Sequence, residues 1–315
     1  MLHKPKIIIM KKKIFMVLSA VAVLAMGVLV VACSKDSNAL HPNEEIVVEE
    51  VAPAPTLQKT SSAAEWEAFN LEIEKLNEKY KVDYSTAMRA SGNVTTEKVM
   101  EVLLADADGA VDGLSNAFDY LDELGLLAAC APTPLTWEAL LAYFGGSAVI
   151  FAAIASWNAA SECSLDGENV SINDFSSMLR FDKNFVTIEM GKRHNQLIEN
   201  LHRDNQGFTG LSKRQVRIEM LNRYEQLYGP VDSNLRQALL SYTLVLPTYI
   251  VKENVRNANI QFRNVTRSFS MLQMQRYTEE YLDVVNRSSI DAEDKLLVAV
   301  YGSVMCCSKA LWNVQ

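Results

Sequence analysis

Residues 139–161 read ALLAYFGGSAVIFAAIASWNAAS, 23 positions without a charge between Glu138 and Glu162. A helix of that length rises about 35 Å and the apolar slab of a bilayer is about 30 Å thick, so the stretch is long enough to cross one. Its composition weakens that case. Eight of the residues are alanine, Gly145 and Gly146 are adjacent, and Asn158 sits near one end. Small residues let helix backbones approach closely, which serves contacts in lipid and in the centre of a bundle alike. Two readings therefore stand side by side: a buried, small-residue-rich apolar central helix, and a segment that inserts into a membrane.

On either side of this stretch the apolar pattern is helical. Ser62 and Glu65 form a capping-box pattern, and Trp66, Phe69, Ile73, Leu76 and Tyr80 follow in steps of three and four on one face. A second helix is expected from Thr95 or Thr96 toward Ala129, with Gly109 and Gly113 four apart inside it. Each costs about 1 kcal/mol against alanine unless close packing uses the missing side chain. Thr133-Pro134 reads as a cap and first helical position. Further helices fit 172–205 with a break, Ser212 to Tyr228 with a second capping box at Gln215, and 233 to about 246, where Pro247 ends the run. A long helical segment through Phe262, Val265, Phe269, Leu272, Tyr277 and Tyr281 follows, and a last helix starts near Asp291. Strand alternation and a fixed repeat are both missing. The expectation is an all-α bundle of about seven helices over residues 61–315.

Residues 34–60 contain Pro42, Glu44, Glu45, Glu49, Glu50, Pro53 and Pro55 with few large apolar groups, the composition of a tether. Before them come Lys11-Lys12-Lys13, an apolar run from Ile14 to Val31, and Ala32-Cys33-Ser34. A positive flank, an apolar core and a small-residue exit define an export signal over residues 1–32. Val30-Val31-Ala32-Cys33 resembles the lipobox of bacterial outer-membrane lipoproteins, and Lys35-Asp36 is faintly similar to surface-export signals of gut Bacteroidetes. The resemblance covers residues 10–34 only and leaves 61–315 without a family. It implies that Cys33 is acylated, that the chain begins there after processing, and that it is anchored at the outer membrane. Whether it faces the periplasm or the surface stays open.

Residues 1–32 carry five lysines and no acid, so the remainder holds 25 basic against 38 acidic side chains. Such a chain repels polyanions, and nucleic acid is not an expected partner. Four cysteines remain beside the lipid anchor: Cys130, Cys163, Cys306 and Cys307. An even count behind an export signal predicts two disulfides. Adjacent Cys306 and Cys307 are poorly placed to join each other, and the two other pairings staple the last helix to both ends of 139–161.

The search for chemistry yields little. His194 and His202, eight apart with Glu199 between them, do not converge as metal ligands, and no cofactor is expected. Asp106, Asp108 and Asp112 lack the spacing of a calcium loop and read as a charged helical stripe. Ser147 follows two glycines but not in a nucleophile-elbow pattern. His194, Glu199, His202, Arg276, Tyr277 and Tyr281 are the candidate interaction surface, although a core stripe also explains the tyrosines. The sequence thus suggests a lipid-anchored envelope module that binds a protein partner, with self-association open. The alternatives are a membrane-active protein that inserts 139–161 and an envelope hydrolase.

Overall fold

The computed structural model describes residues 61–80, 94–123, 137–165, 170–172, 178–231, 233, 236, 237, 240 and 252–314. These residues form an all-α bundle of eight named helices. They are α1 (Ala63–Lys79), α2 (Val94–Glu123), α3 (Trp137–Glu162), α4 (Val186–Asn205), α5 (Lys213–Tyr228), α6 (Glu253–Thr266), α7 (Met271–Arg287) and α8 (Ala292–Leu311). Three of them start on a reciprocal capping box. In α1, Ser62 N–H donates to Glu65 Oε2 at 2.7 Å while Glu65 N–H donates to Ser62 Oγ at 3.3 Å. Ser212–Gln215 does the same for α5, and Ser270–Gln273 for α7. Each box satisfies two backbone donors that the first turn leaves unpaired, worth about 1 kcal/mol.

The third box corrects the expected helix count. The segment through Phe262 and Tyr281 is two helices, because Ser270 turns the chain and restarts it as α7. The fold also differs from the sequence expectation at its centre, which is α8. Sixteen of the twenty residues of α8 are buried, from Asp294 to Leu311, and α2, α3, α4, α6 and α7 all pack against it. Leu296 to Ser308 carries no charge, and a helix apolar all round is buried all round.

Helix α3, which carries the 139–161 stretch, is pressed against α2 rather than placed at the centre. A Cβ on Gly109 would lie 2.7 Å from Ala155 Cβ and 3.0 Å from Phe151 O. On Gly113 it would lie 2.9 Å from Ser147 O and 3.0 Å from Ala148 Cα. Ser147 Oγ donates to the Gly113 carbonyl at 2.9 Å across the same contact. The small residues are thus used for helix-to-helix approach. Ile150, Ala152, Ala153, Trp157 and Ala160 are buried, against neighbours that include α2, α4 and α5. Among the described residues no helix is long and apolar enough to cross a membrane. In the folded bundle the described part of 139–161 is thus a packed helix and not the membrane span or central helix that its length suggested.

A short antiparallel ribbon joins β1 (Val170–Ile172) to β2 (Trp312–Val314), with Ile172 opposite Trp312. The sequence showed no alternation there because three residues are too few to display it.

The expected disulfides are not formed among the described residues: Cys163, Cys306 and Cys307 are free, and Cys130 lies outside the described set. The sulfurs have different neighbours. Cys163 Sγ lies 3.2 Å from Glu101 Oε2 on α2, whereas Cys307 Sγ is wedged under Gly191 and lies 3.7 Å from the Ile188 carbonyl on α4. Burial pushes the Cys306 thiol up to about 12 and the Cys307 thiol well above its ordinary range. Thiols held protonated in this way are poor nucleophiles. The tether, the Thr133-Pro134 restart and Pro247 also fall outside the described residues.

Gly113→Ala should lower stability by about 1–3 kcal/mol through overpacking against α3, although alanine is the better helix former by about 1 kcal/mol. Urea unfolding monitored by far-ultraviolet circular dichroism measures it. A more stable variant would mean that the α2–α3 contact is not tight.

Candidate functional site

The densest polar arrangement lies inside the bundle, between α2, α4 and α8. On α2, Val99, Val102, Leu103, Asp106, Ala110 and Gly113 share the inward stripe, so the helix that carries Asp106 into the core does so on its apolar face. On α4, His194 and Asn195 fall among the inward residues Gly191, Leu197 and Ile198. All three polar side chains are 0% exposed.

Their geometry is a connected set. Asp106 Oδ2 accepts from the Ser308 hydroxyl of α8 and from Trp312 Nε1 of β2 at 3.4 Å. Asp106 Oδ1 faces His194 Nε2 at 3.8 Å. His194 Nδ1 lies 2.9 Å from Asn195 Oδ1, and Asn195 Nδ2 donates to the Cys307 carbonyl at 2.7 Å. Burial pushes the Asp106 carboxyl up, opposed by the His194 imidazole, the hydroxyls of Ser156 and Ser308, and the Trp312 indole. One turn earlier on α8, Ser303 Oγ donates to Thr187 Oγ1 at 2.8 Å, again between α8 and α4.

Serine, histidine and aspartate occur together here, but not in the order of a nucleophilic triad. Ser308 bonds to the carboxylate rather than the imidazole, so the histidine is not placed to activate its hydroxyl. Full burial also keeps substrate away. The arrangement ties four elements together.

A second polar cluster sits where α1 meets the start of α8. Ser61 Oγ lies 2.7 Å from Asp291 Oδ2 and 2.5 Å from Asp294 Oδ2, and it accepts from Asp291 N–H at 2.9 Å. Lys252 Nζ donates to Asp294 Oδ1 at 3.0 Å. Burial, and then the hydrogen bond to Asp291, push Asp294 up to about 6. Asp291 is held below the ordinary carboxylate range by hydrogen bonds from Asp294 and Ser61 and by Lys252, which outweigh its own burial.

The six residues expected to share an interaction surface are dispersed. His194 is in the core, Glu199 is half-buried, and His202 is half-buried with its ring 4.5 Å from that of Phe208. Arg276 is exposed. Tyr277 and Tyr281 are fully buried among Phe69, Phe262 and Phe269, and Tyr277 donates to Asn77 at 2.7 Å. The tyrosines belong to the core stripe. The lipidation residue Cys33 lies outside the described residues. Asp106 departs from the expected charged stripe, and Asn195, Ser308 and Trp312 had no signal of their own. Among the described residues no group of three His, Cys, Asp or Glu is arranged to hold a metal ion.

No family model, curated protein or solved structure matches the chain. The two polar clusters therefore have to be read from their own chemistry.

Two outcomes follow. Asn195→Ala leaves His194 Nδ1 without a partner in the core and removes the second bond to the Cys307 carbonyl. At about 1–3 kcal/mol for a buried unpaired group, urea unfolding should show a loss in that range, and a loss under about 1 kcal/mol would refute the network. Asp294→Asn should gain stability relative to the wild type as pH rises from 5 to 7. The raised carboxyl pKa favours folding below the ordinary aspartate range, and that contribution is lost through about 6. Parallel melting curves at the two pH values measure the difference.

Proposed function

We propose that the chain is a cell-envelope lipoprotein, held at the outer membrane through acylated Cys33, whose helical domain serves as a protein-interaction or assembly module rather than a catalyst. The observation that carries this reading is the run Val30-Val31-Ala32-Cys33 after three lysines and an apolar stretch, followed by a proline- and glutamate-bearing segment. The resemblance to a lipobox gives the anchor, and the acidic segment gives reach. The inward direction of the main polar cluster supports a non-catalytic domain, since its acid, histidine and serine are all closed to solvent. Leu71, Val186, Leu227 and Leu272 are exposed apolar side chains on its helices, available as contact points for a protein. The acidic balance of the chain disfavours nucleic acid.

Anchoring and partnering are separable in experiment. Metabolic labelling with a radioactive fatty acid should mark the wild-type protein and leave Cys33→Ser unlabelled; a wild type without label would remove the anchor. Affinity capture from detergent-solubilised envelopes should then recover a specific protein, or further copies of this chain. Recovery no greater than with an unrelated lipoprotein would count against the interaction role.

A further inference from the structure

The Asn195 amide fixes how many protons the buried centre must hold. Its Nδ2 donates to the Cys307 carbonyl at 2.7 Å, a group that only accepts, so the atom turned toward His194 is Oδ1. An amide oxygen cannot donate. His194 Nδ1, 2.9 Å away, therefore carries a hydrogen. A neutral imidazole with its hydrogen on Nδ1 has a bare lone pair at Nε2.

That lone pair would point at Asp106 Oδ1, 3.8 Å away, and neither atom has a hydrogen-bond partner although both are fully buried. Oδ2 already accepts from Ser308 and Trp312. An ionised carboxylate beside a bare Nε2 would leave in the core a negative charge that faces only the neutral donors Ser156, Ser308 and Trp312 and no cation, an arrangement that burial disfavours and that one proton relieves. One additional proton, on Nε2 or Oδ1, neutralises the centre and turns repulsion into attraction. The groups acting on Asp106 are His194 on α4, Ser156 on α3, Ser308 on α8 and Trp312 on β2. The neighbouring thiol of Cys307 stays protonated through burial and adds no charge.

We propose that the folded protein holds one proton at the Asp106–His194 pair which the unfolded chain lacks above neutral pH, so that the pair is a built-in proton sensor that loosens the bundle as pH rises. In the unfolded chain the imidazole loses its proton near 6.5 and the carboxyl near 3.9, and at about pH 7.5 the two together hold almost none. The sign follows from this difference. The folded state binds more protons, so its advantage is complete below about 6.5 and is lost as pH rises. The folded-to-unfolded ratio falls about tenfold per pH unit until the folded pair itself releases the proton. Because Asp106, His194, Ser308 and Trp312 lie on four different elements, all four loosen together.

Unfolding the full chain in urea at about pH 7.5, weakly buffered and with an indicator dye, counts the protons released. Each free thiol adds about a tenth of a proton at that pH. The wild type should release about one proton per chain beyond the thiols, and the Asp106→Asn, His194→Gln double variant about none. Release of less than about a third of a proton by the wild type overturns the proposal, whether or not the variant folds. In the folded wild type, ¹⁵N resonances of the His194 ring should show hydrogen on Nδ1; a ring bearing it only on Nε2 also overturns the proposal.

Discussion

Helix α8 is enclosed on all sides, and much of the rest of the structure answers to that constraint. A helix at the surface can leave a serine hydroxyl to water. One surrounded by five others cannot, and each polar group it carries needs a partner from a neighbour. Ser303 finds Thr187 and Ser308 finds Asp106, while Asn195 adds a second bond to the Cys307 carbonyl. The polar residues buried on α2 and α4 are thus explained from the centre outward. Gly191 belongs to the same set, since a Cβ there would lie 2.7 Å from Cys307 Sγ and 3.0 Å from the Ser303 carbonyl.

The outer helices solve a different problem. Helix α3 is rich in alanine and offers little apolar area per residue, so it gains its stabilisation by coming close. The two glycines of α2 provide that closeness, and Ser147 spends its hydroxyl on the Gly113 carbonyl instead of facing an apolar neighbour unpaired. Helix α1 is held in the opposite way, through large rings: Trp66 and Phe69 meet edge to face, Phe69 reaches Tyr281, and Tyr80 packs on Phe269 and Tyr277. Edge-to-face pairs of this kind add about 0.5–1.5 kcal/mol each beyond their area.

Local signals in the sequence translated well and long-range ones did not. The Ser62–Glu65 and Ser212–Gln215 boxes, the start of α8 at Asp291 and the inward face of α1 follow from spacing alone, because helix starts and stripes are decided within a few residues. Ser270–Gln273 has the same pattern and was obscured by the apolar repeat running through it. The centre of the fold was assigned to 139–161 on length without charge, whereas the uncharged run from Leu296 to Ser308 is the one apolar on every face. Asp106 stands four residues after Val102 and four before Ala110, so its inward position was readable from the stripe; its pairing with His194 was not, since no local rule brings residues 88 positions apart together. The disulfides failed for the same reason. Parity of cysteines says nothing about where sulfurs face once the helices pack.

Uniformly apolar helices pack well in more than one register, and that ambiguity gives the polar contacts their importance. Sliding α8 by one turn, about 5.4 Å, would exchange one set of Leu, Val and Ala contacts for another at modest loss. The same slide would separate Ser308 from Asp106 and Ser303 from Thr187 together, leaving buried groups unpaired at about 1–3 kcal/mol each. Trp312 strengthens the restriction, because it immediately follows α8 and ties it both to Asp106 and, through the ribbon, to Ile172. The apolar surface of α8 therefore supplies most of the driving force for burial, while a few polar atoms decide which of the well-packed registers is occupied.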